Sequence, residues 1–366
     1  MYFWAGRVSW AGDIFLKGLF FARAWLIAAL LGLGGCVDIG PRSIEMGRTD
    51  YNNAIQRTDG EQLLLNLVRQ RYNDPVMFLE VASISSSKSF SKNINLSSFL
   101  SSFFAPQSFS GGLGGSITDS PLVFYSPNTG ERFVHQIFTP IDLRTITLLL
   151  QSGWSIERVL LLAGETINGI RNTEAKDTPY AVLAEKLRTL QRNNKLSFAL
   201  QVEGALTVLS IIPSSDVVDV SAYKEVCEIL KIRADGAPIR IAQGIGDPGF
   251  SSQHIQLATR PLYSTLYFLS NGVDVPVAAI EARTVQERGA VGGLFDPSLG
   301  KLFHVRSSTI EPRNFALRVR YRNEWFYLDE TDLDSRTTFT LISALFMLQS
   351  GDTSRMTPLV SLSPAR

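Results

Sequence analysis

Residues that could do chemistry are few in this 366-residue chain, and they lie far apart. The histidines are His135, His254 and His304, and none has a second histidine or a cysteine pair at the spacing of a metal site. We expect each to be structural. Residues Ser85 to Lys88 match the Ser-x-x-Lys pattern of penicillin-binding enzymes. That catalytic serine must open a helix, whereas this one lies in a strand-like, serine-rich run, so a chance match is the better explanation.

An acidic group near the C-terminus offers a second kind of chemistry. Asp329, Asp332 and Asp334 could form a calcium loop, but the glycine and the distal glutamate of an EF-hand are missing. Negative charge before a helix stabilises its positive end, so we expect these residues to cap a helix over about 336–349. The glycine-rich run 111–115 lacks the lysine and the hydroxyl of a phosphate-binding loop. The sequence therefore indicates no catalytic residue, no metal site and no cofactor.

The most specific signal lies near the N-terminus, at Leu33-Gly34-Gly35-Cys36, which ends an apolar run. Basic residues precede that run at three positions: Arg7, Lys17 and Arg23. The tetrapeptide resembles the lipobox of bacterial lipoproteins. The resemblance implies that residues 1–35 are a signal peptide, that Cys36 becomes the acylated first residue, and that membrane lipid is a partner.

A transmembrane anchor is the alternative interpretation of this opening stretch. The uncharged run from Ala24 to Val37 has 14 residues, whereas a helix that spans a bilayer takes roughly 20. Val37 follows the cysteine, and the aspartate that holds many enteric lipoproteins at the inner membrane is absent from that position. By resemblance, we therefore expect the protein to be anchored at the bacterial outer membrane, on its periplasmic face.

Composition limits the remaining possibilities. The formal net charge is +1, from 35 basic and 34 acidic residues. Because the basic residues are spread along the chain, we expect no nucleic-acid partner. Cys227 is the one cysteine besides Cys36, so no disulfide framework is expected, and its apolar neighbours predict a buried position.

The order of helical and strand patterns predicts an α+β fold. Residues 36–50 contain glycine and proline with little apolar periodicity, and we expect them to form a lipidated tether. Residues 51–175 are expected to form an N-terminal α+β domain with a helical layer. Residues 176–366 are expected to form a C-terminal α+β domain, an antiparallel sheet with packed helices. The polar run 172–177 marks the predicted boundary.

Cap residues and alternation mark the individual elements. Helix starts are predicted at four hydroxyl residues: Thr58, Thr139, Ser155 and Thr178. Two strand pairs are predicted: 196–202 with 205–211, and 315–321 with 325–328. Three phrases resemble a widespread, uncharacterised group of bacterial envelope proteins: Gln62 to Asn66, Ser120 to Leu122 and Trp325 to Asp329. That resemblance implies no function.

Residues 81–125 differ from everything around them, because serine and glycine dominate the run 83–120. Apolar side chains nevertheless recur at even positions, which is the period of a strand. We interpret the segment as a long β-hairpin that projects from the domain, with a disordered serine-rich insertion as the alternative. The candidate interaction residues lie in its first arm and at its tip: Phe90, Ile94, Leu96, Phe99, Phe103, Phe104 and Phe109.

Two functions follow from different classes. The first is a noncatalytic, lipid-anchored structural or assembly component that binds other envelope proteins or itself, through the 81–125 hairpin. The second is a periplasmic hydrolase whose site is built from scattered polar residues, for example around 329–334 and His304. A concave pocket that holds a histidine within hydrogen-bond reach of a carboxylate would favour the hydrolase.

Overall fold

The computed structural model describes residues 39–94, 113–173, 178–203, 206–244, 254–285 and 302–350. The predicted signal peptide, Cys36 and the glycine-rich run 111–112 lie outside these residues. So do five of the candidate interaction residues: Leu96, Phe99, Phe103, Phe104 and Phe109. Chain contacts divide the protein into two units, Met1–Arg57 and Thr58–Arg366. In the first unit, the described residues 39–57 are helical.

The first part of the chain contains five helices and four strands with the following bounds. They are α1 Ile39–Arg71, β1 Leu79–Ile94, β2 Leu113–Pro127, α2 Glu131–Phe138, α3 Leu143–Gln151, α4 Ile156–Ala163, β3 Gly164–Ile167, β4 Ile170–Arg171 and α5 Pro179–Arg192. The remaining described elements are β5 Leu196–Glu203, β6 Leu206–Pro213, α6 Ser221–Leu230, β7 Ile239–Gln243, β8 Ile255–Thr259, α7 Leu262–Ser270, α8 Val277–Glu281, β9 Arg306–Ser308, β10 Leu317–Tyr321, β11 Glu324–Leu328 and α9 Leu333–Ser350. The predicted α+β class is confirmed.

A six-stranded sheet in the order β4-β3-β8-β7-β6-β5 forms the centre of the second unit. Its pairs are antiparallel except β7 with β8. The predicted pairing of β5 with β6 is confirmed, from Leu196 opposite Pro213 to Glu203 opposite Leu206. Helix α3 packs on β5 and β6, while α5 packs between α4 and α6. Apolar side chains from these helices and strands form one continuous core.

The predicted domain boundary at residue 175 is wrong, because one sheet contains strands from both sides of it. Strands β3 and β4 come before that position and β5 to β8 come after it. Asn172, the first residue of the polar run that suggested a break, has a structural role. Its side chain is 8 % exposed and donates to the carbonyls of Leu161 and Gly164, at 2.9 and 2.7 Å. This polar residue therefore serves a buried hydrogen-bond network.

The tether predicted over 36–50 is helical over residues 39–50, which the structure describes. Helix α1 begins at Ile39 and continues to Arg71 without a break at the expected start, Thr58. Pro41 lies in the first turn, where a missing amide proton breaks no helical hydrogen bond. Gly47 weakens a helix but does not stop one. The capping-box pattern at Thr58 therefore lies inside the helix.

Two predicted helix starts are confirmed and one is displaced. Ser155 and Thr178 cap α4 and α5 with their side-chain hydroxyls. The start predicted at Thr139 is wrong, since Thr139 is instead the C-terminal cap of α2. Helix α3 is capped by Asp142, whose Oδ1 accepts from the Thr145 amide at 2.8 Å. An ionised carboxylate is a stronger cap than a hydroxyl, and it lies three residues further along.

The second sheet is antiparallel and has the order β10-β11-β9. Its β10–β11 hairpin was predicted from alternation, and the pairing of Val319 with Phe326 confirms it. Val319, Phe326 and Leu328 point inward and are buried. Tyr72, directly after α1, meets the Phe326 ring edge-on at 6.1 Å. This sheet therefore closes the core against the C-terminal end of α1.

Candidate functional site: the long hairpin and its root

The candidate site is the β1–β2 hairpin, which forms a two-stranded antiparallel sheet of its own. Its register runs from Leu79 opposite Pro127 to Ile94 opposite Leu113, with one irregularity between Val81 and Ser83. The predicted long hairpin is therefore confirmed along both arms. The disordered alternative is wrong for these residues, because each arm has a continuous strand partner.

The register places apolar positions opposite one another. Ile84 pairs with Val123, Phe90 with Ile117, and Ile94 with Leu113. Such cross-strand apolar pairs are the unit that stabilises a sheet. Of the seven candidate interaction residues, Phe90 and Ile94 thus occupy paired positions in β1.

Two amide side chains of α1 fix the start of β1. Asn66 donates from Nδ2 to the Met77 carbonyl at 2.7 Å and accepts from the Met77 amide at 3.0 Å. Gln62 donates from Nε2 to the Leu79 carbonyl at 3.0 Å and accepts from the Leu79 amide at 2.7 Å. A carboxamide has a donor and an acceptor side by side, as a peptide group does. Helix α1 therefore substitutes for a neighbouring strand at this point, and we call these four residues the root clamp.

The spacing of the root clamp follows from elementary geometry. Four residues along a helix advance about 6 Å, and two residues along a strand advance about 6.6 Å. Side chains at i and i+4 of α1 can therefore reach backbone groups at i and i+2 of the strand. Asn66 is fully buried, so its hydrogen bonds are shielded from water.

An aromatic contact fixes the same root from the other direction. Phe78, which lies between the two clamped residues, is 2 % exposed. Its ring lies 4.7 Å from the Phe346 ring of α9 and 5.8 Å from the Phe133 ring of α2. The Phe78 carbonyl accepts from the amide of Asn128, directly after β2, at 2.9 Å. The root is thus held by apolar packing and by hydrogen bonds on both sides of the strand.

Next to the root, three large apolar or aromatic side chains of β2 are exposed. Leu122, Phe124 and Tyr125 of β2 are 56, 50 and 62 % exposed. Among the residues that the structure describes, neither β1 nor β2 pairs with a third strand. Each strand therefore presents one edge of unpaired amides and carbonyls, which is a template for pairing with another chain.

A shallow groove of about 400 Å³ lies between α1 and the second sheet. It is lined by Glu61, Gln62, Leu65, Arg318, Val319, Arg320 and Trp325. The Arg318 guanidinium lies over the Phe315 and Trp325 rings, at 4.2 and 5.1 Å, and pairs with Glu311 at 2.6 Å. The groove contains no histidine, so it does not meet the criterion for a hydrolase site.

Each histidine has a partner elsewhere. His254 Nε2 lies 3.0 Å from Glu203 Oε2, and His304 Nε2 lies 2.9 Å from Asp274 Oδ1. His135 Nδ1 lies 3.3 Å from the Thr139 hydroxyl at the end of α2. Both histidine–carboxylate pairs lie outside the groove. In the ranges described, no group of three or more histidine, cysteine or acidic residues is arranged to hold a metal ion.

The acidic group at 329–334 forms the N-terminal cap of α9, as predicted. Asp332 accepts from the Ser335 amide at 3.1 Å, and Asp334 pairs with the buried Arg158 at 2.6 Å. Asp329 accepts from the hydroxyl and the amide of Thr331, and these hydrogen bonds lower the pKa of its carboxyl. His304 lies close to this group through its backbone, since its amide donates to Ser335 Oγ at 2.8 Å and Ser335 Oγ donates to Asp332 at 2.6 Å. Its imidazole bonds instead to Asp274.

Two further sequence patterns have structural explanations. Ser85 lies within β1 and opens no helix, so the Ser-x-x-Lys match has no catalytic context. Cys227 is 2 % exposed in α6, as predicted, and burial raises the pKa of its thiol. The sequence analysis did not predict the root clamp. Its only local signal is that the segment 62–66 has an amide residue at each end and apolar residues between them, beside the buried stripe of α1.

No described helix is both long and apolar enough to cross a membrane. The chain matches no family model, no curated protein and no solved structure.

Proposed function

We propose that this chain is a lipid-anchored, noncatalytic assembly component of the bacterial cell envelope, and that it acts by binding through the β1–β2 hairpin. One observation carries the proposal. The hairpin pairs from Leu79–Pro127 to Ile94–Leu113 while each strand keeps one edge unpaired in the described residues. Such a ribbon is marginal in water when it stands alone, so it requires a surface or a strand to lie against.

The anchoring part of the proposal is supported by the sequence. Leu33-Gly34-Gly35-Cys36 resembles a lipobox, which implies an acylated Cys36 at the outer membrane, on the periplasmic face. Three acyl chains would hold the protein stably, because two already do. The partners are then membrane lipid through Cys36, and either other envelope proteins or further copies through the hairpin.

The root of the hairpin supports a binding role. Asn66 and Phe78 are buried, so the base of the ribbon has a fixed position on the domain. Leu122 and Phe124, further out on β2, are half exposed although they are large and apolar. A ribbon held firmly at one end, with apolar surface beyond it, is suited to presenting edges and side chains to a partner.

The groups that sequence patterns marked for chemistry take part in structural contacts. Asp332 caps α9, Asp334 pairs with Arg158, and His304 pairs with Asp274. These structural contacts explain the presence of the residues, and no reaction is needed to explain them. A binding role therefore explains more of the molecule than a hydrolase activity does.

Wild type is compared with three variants, two single changes and their combination, to test the proposal. The first deletes Ser85 to Thr118, which joins Ile84 to Asp119. Because Ile84 pairs with Val123, residues 119–122 then close a shortened hairpin over the intact root. The second is Cys36→Ala, and the third combines both changes. Each is expressed in a bacterial host that lipidates proteins. We then measure membrane fractionation, intact mass, thermal unfolding and association by native cross-linking.

The two changes are expected to separate. Cys36→Ala should remove the acyl mass and leave the chain longer, because residues 1–35 are no longer cut off, while cross-linked complexes persist. The deletion should leave lipidation and the unfolding midpoint unchanged while the complexes disappear. If the deleted protein still forms the wild-type complexes, the hairpin is not the binding element. If mature wild type has no acyl mass, or keeps residues before Cys36, the anchoring claim is wrong.

A further inference from the structure

We propose that the open edge of β1 is filled by β2 of a second copy of this chain, so that copies add head to tail along a membrane. This inference rests on the proposed function and names its partner. The first argument is the number of edges. The described hairpin has two, one on β1 and one on β2, and a partner that adds a single strand fills only one of them. A second copy brings the complementary edge and leaves an equivalent one for the next copy.

The direction of the strands gives the second argument. Lipid anchors would place all copies on one membrane surface, so neighbouring hairpins would point the same way. Because β1 and β2 are antiparallel within a copy, two hairpins side by side in one orientation bring β1 of one against β2 of the next, also antiparallel. Pairing β1 with β1 in antiparallel fashion would require the two copies to point in opposite directions. Copies on a shared membrane can therefore form either the antiparallel β1–β2 contact or a parallel β1–β1 contact, in which one hairpin is turned by 180° about the strand axis.

Charge gives the third argument. Strand β1 carries Lys88 and Lys92, whereas β2 carries Asp119 and has no lysine or arginine. Lys88 already lies opposite Asp119 in the hairpin. Adding β2 of a neighbour to β1 continues this alternation of sign across the ribbon, while pairing two β1 strands in parallel and in register sets Lys88 beside Lys88 and Lys92 beside Lys92. Like charges on adjacent strands are destabilising, so the mixed edge is favoured.

The root clamp determines where the added strand can begin. Asn66 and Gln62 occupy the outer hydrogen-bonding groups of Met77 and Leu79. A neighbouring strand therefore cannot pair with β1 at those residues. The free edge of β1 starts after Leu79, in the part of the strand where serine is the commonest residue. The contact is consequently confined to the projecting part of the hairpin.

Cross-linking between differently tagged copies tests the arrangement. Full-length, lipidated chains with Ser87→Cys in β1 are co-expressed with chains carrying Ser120→Cys in β2, and membranes are treated with a short, flexible bis-maleimide. A second pair, Ser91→Cys with Ser116→Cys, repeats the test further from the root. Within one hairpin, residue 87 lies opposite 120 and residue 91 lies opposite 116. The two cysteines of each pair are therefore placed on different copies, so that an adduct can form only between copies. The remaining thiol, Cys227, is buried and serves as the background.

We expect mixed β1–β2 adducts to predominate over β1–β1 and β2–β2 adducts, by up to about five-fold for a pair preference of about 1 kcal/mol. Ser197→Cys is the matched control, because it is exposed on β5, an edge strand of the six-stranded sheet. It should give no adduct. Predominant β1–β1 or β2–β2 adducts would overturn the head-to-tail arrangement.

A lack of adducts at both cysteine pairs would also overturn it. If the hairpin deletion still abolishes complexes in that case, another envelope protein is the partner, and the proposed function stands without this inference. If complexes survive the deletion, the proposed function fails as well. The two ideas therefore fail on different results.

Discussion

Two hairpins of the described structure, β1–β2 and β10–β11, look alike as sequence patterns and differ in what surrounds them. In β10–β11, the inward side chains Val319, Phe326 and Leu328 are buried, and β9 pairs along the outer side of β11. In β1–β2, the described arms have no third strand, and Leu122 and Phe124 are half exposed. Alternation predicts a strand in both cases. Neighbouring elements decide whether that strand completes the core or leaves an edge for a partner.

The two hairpins also differ in how they are attached. β10–β11 contacts the rest of the domain along its length, through the core and through Tyr72. For β1–β2, the attachment that the described side chains show is at the root, through the root clamp and Phe78. Damage to the first should therefore reduce global stability, and damage beyond the root of the second should alter association alone.

The same substitution in both hairpins gives the largest contrast. Phe326→Ala removes a fully buried ring and should lower the free energy of unfolding by about 3–5 kcal/mol, the usual cost of a large core cavity. Phe124→Ala removes a ring that is 50 % exposed and should change it by only about 0.5 kcal/mol. Chemical denaturation measures both values. Equal losses would show that the long hairpin is part of the cooperative fold.

The root clamp is expected to have an intermediate effect. Asn66→Ala leaves the Met77 amide and carbonyl without their partners in a part-buried site, at a cost of about 1–3 kcal/mol. Gln62→Ala makes the matched loss at Leu79 in an exposed site, where water can replace the amide, so we expect about 0.5 kcal/mol.

Amide hydrogen exchange at Met77 and Leu79 should rise in the corresponding clamp variant. The claim that α1 fixes the hairpin would fail if Asn66→Ala changed neither stability nor exchange at Met77.

A pH series gives the smallest expected effect and concerns the short hairpin. Hydrogen bonds from Thr331 lower the pKa of Asp329, directly after β11, in the folded state. A carboxyl whose folded pKa is depressed contributes stability above its unfolded pKa and loses it as the pH falls through the folded value. The stability difference between wild type and Asp329→Asn should therefore be constant near neutral pH and shrink below about pH 4. A difference that grows on acidification would contradict this sign.

Local signals were sufficient where an element is defined by its own residues. Alternation predicted β10–β11, and the hydroxyls of Ser155 and Thr178 predicted the starts of α4 and α5. Helix α2 was missed because it is short and follows Gly130, which gives no side-chain cap. The helical conformation of residues 39–50 was not predicted, because their apolar residues show little periodicity.

The contacts that define the candidate site could not be read locally. Asn66 and Met77 are 11 residues apart, and Gln62 and Leu79 are 17 apart. A pairing between a side-chain amide and a backbone peptide has no compositional signature, since any residue can supply the peptide. The pairing of His254 with Glu203 over 51 residues is similar. These contacts form only when the elements pack together, whereas sequence patterns predict each element separately.

Hydrogen exchange along the long hairpin tests the central claim most directly. In an antiparallel pair, successive residues point their amides alternately toward the partner strand and away from it. We therefore expect a hairpin with open edges to protect every second amide, and an assembled one to protect successive amides in β1 and β2. The measurement compares full-length protein in its native membrane with the same protein diluted to monomer in detergent. Protection of successive amides over 83–94 and 113–124 in the membrane is the predicted result, and an alternating pattern that persists there would contradict the account.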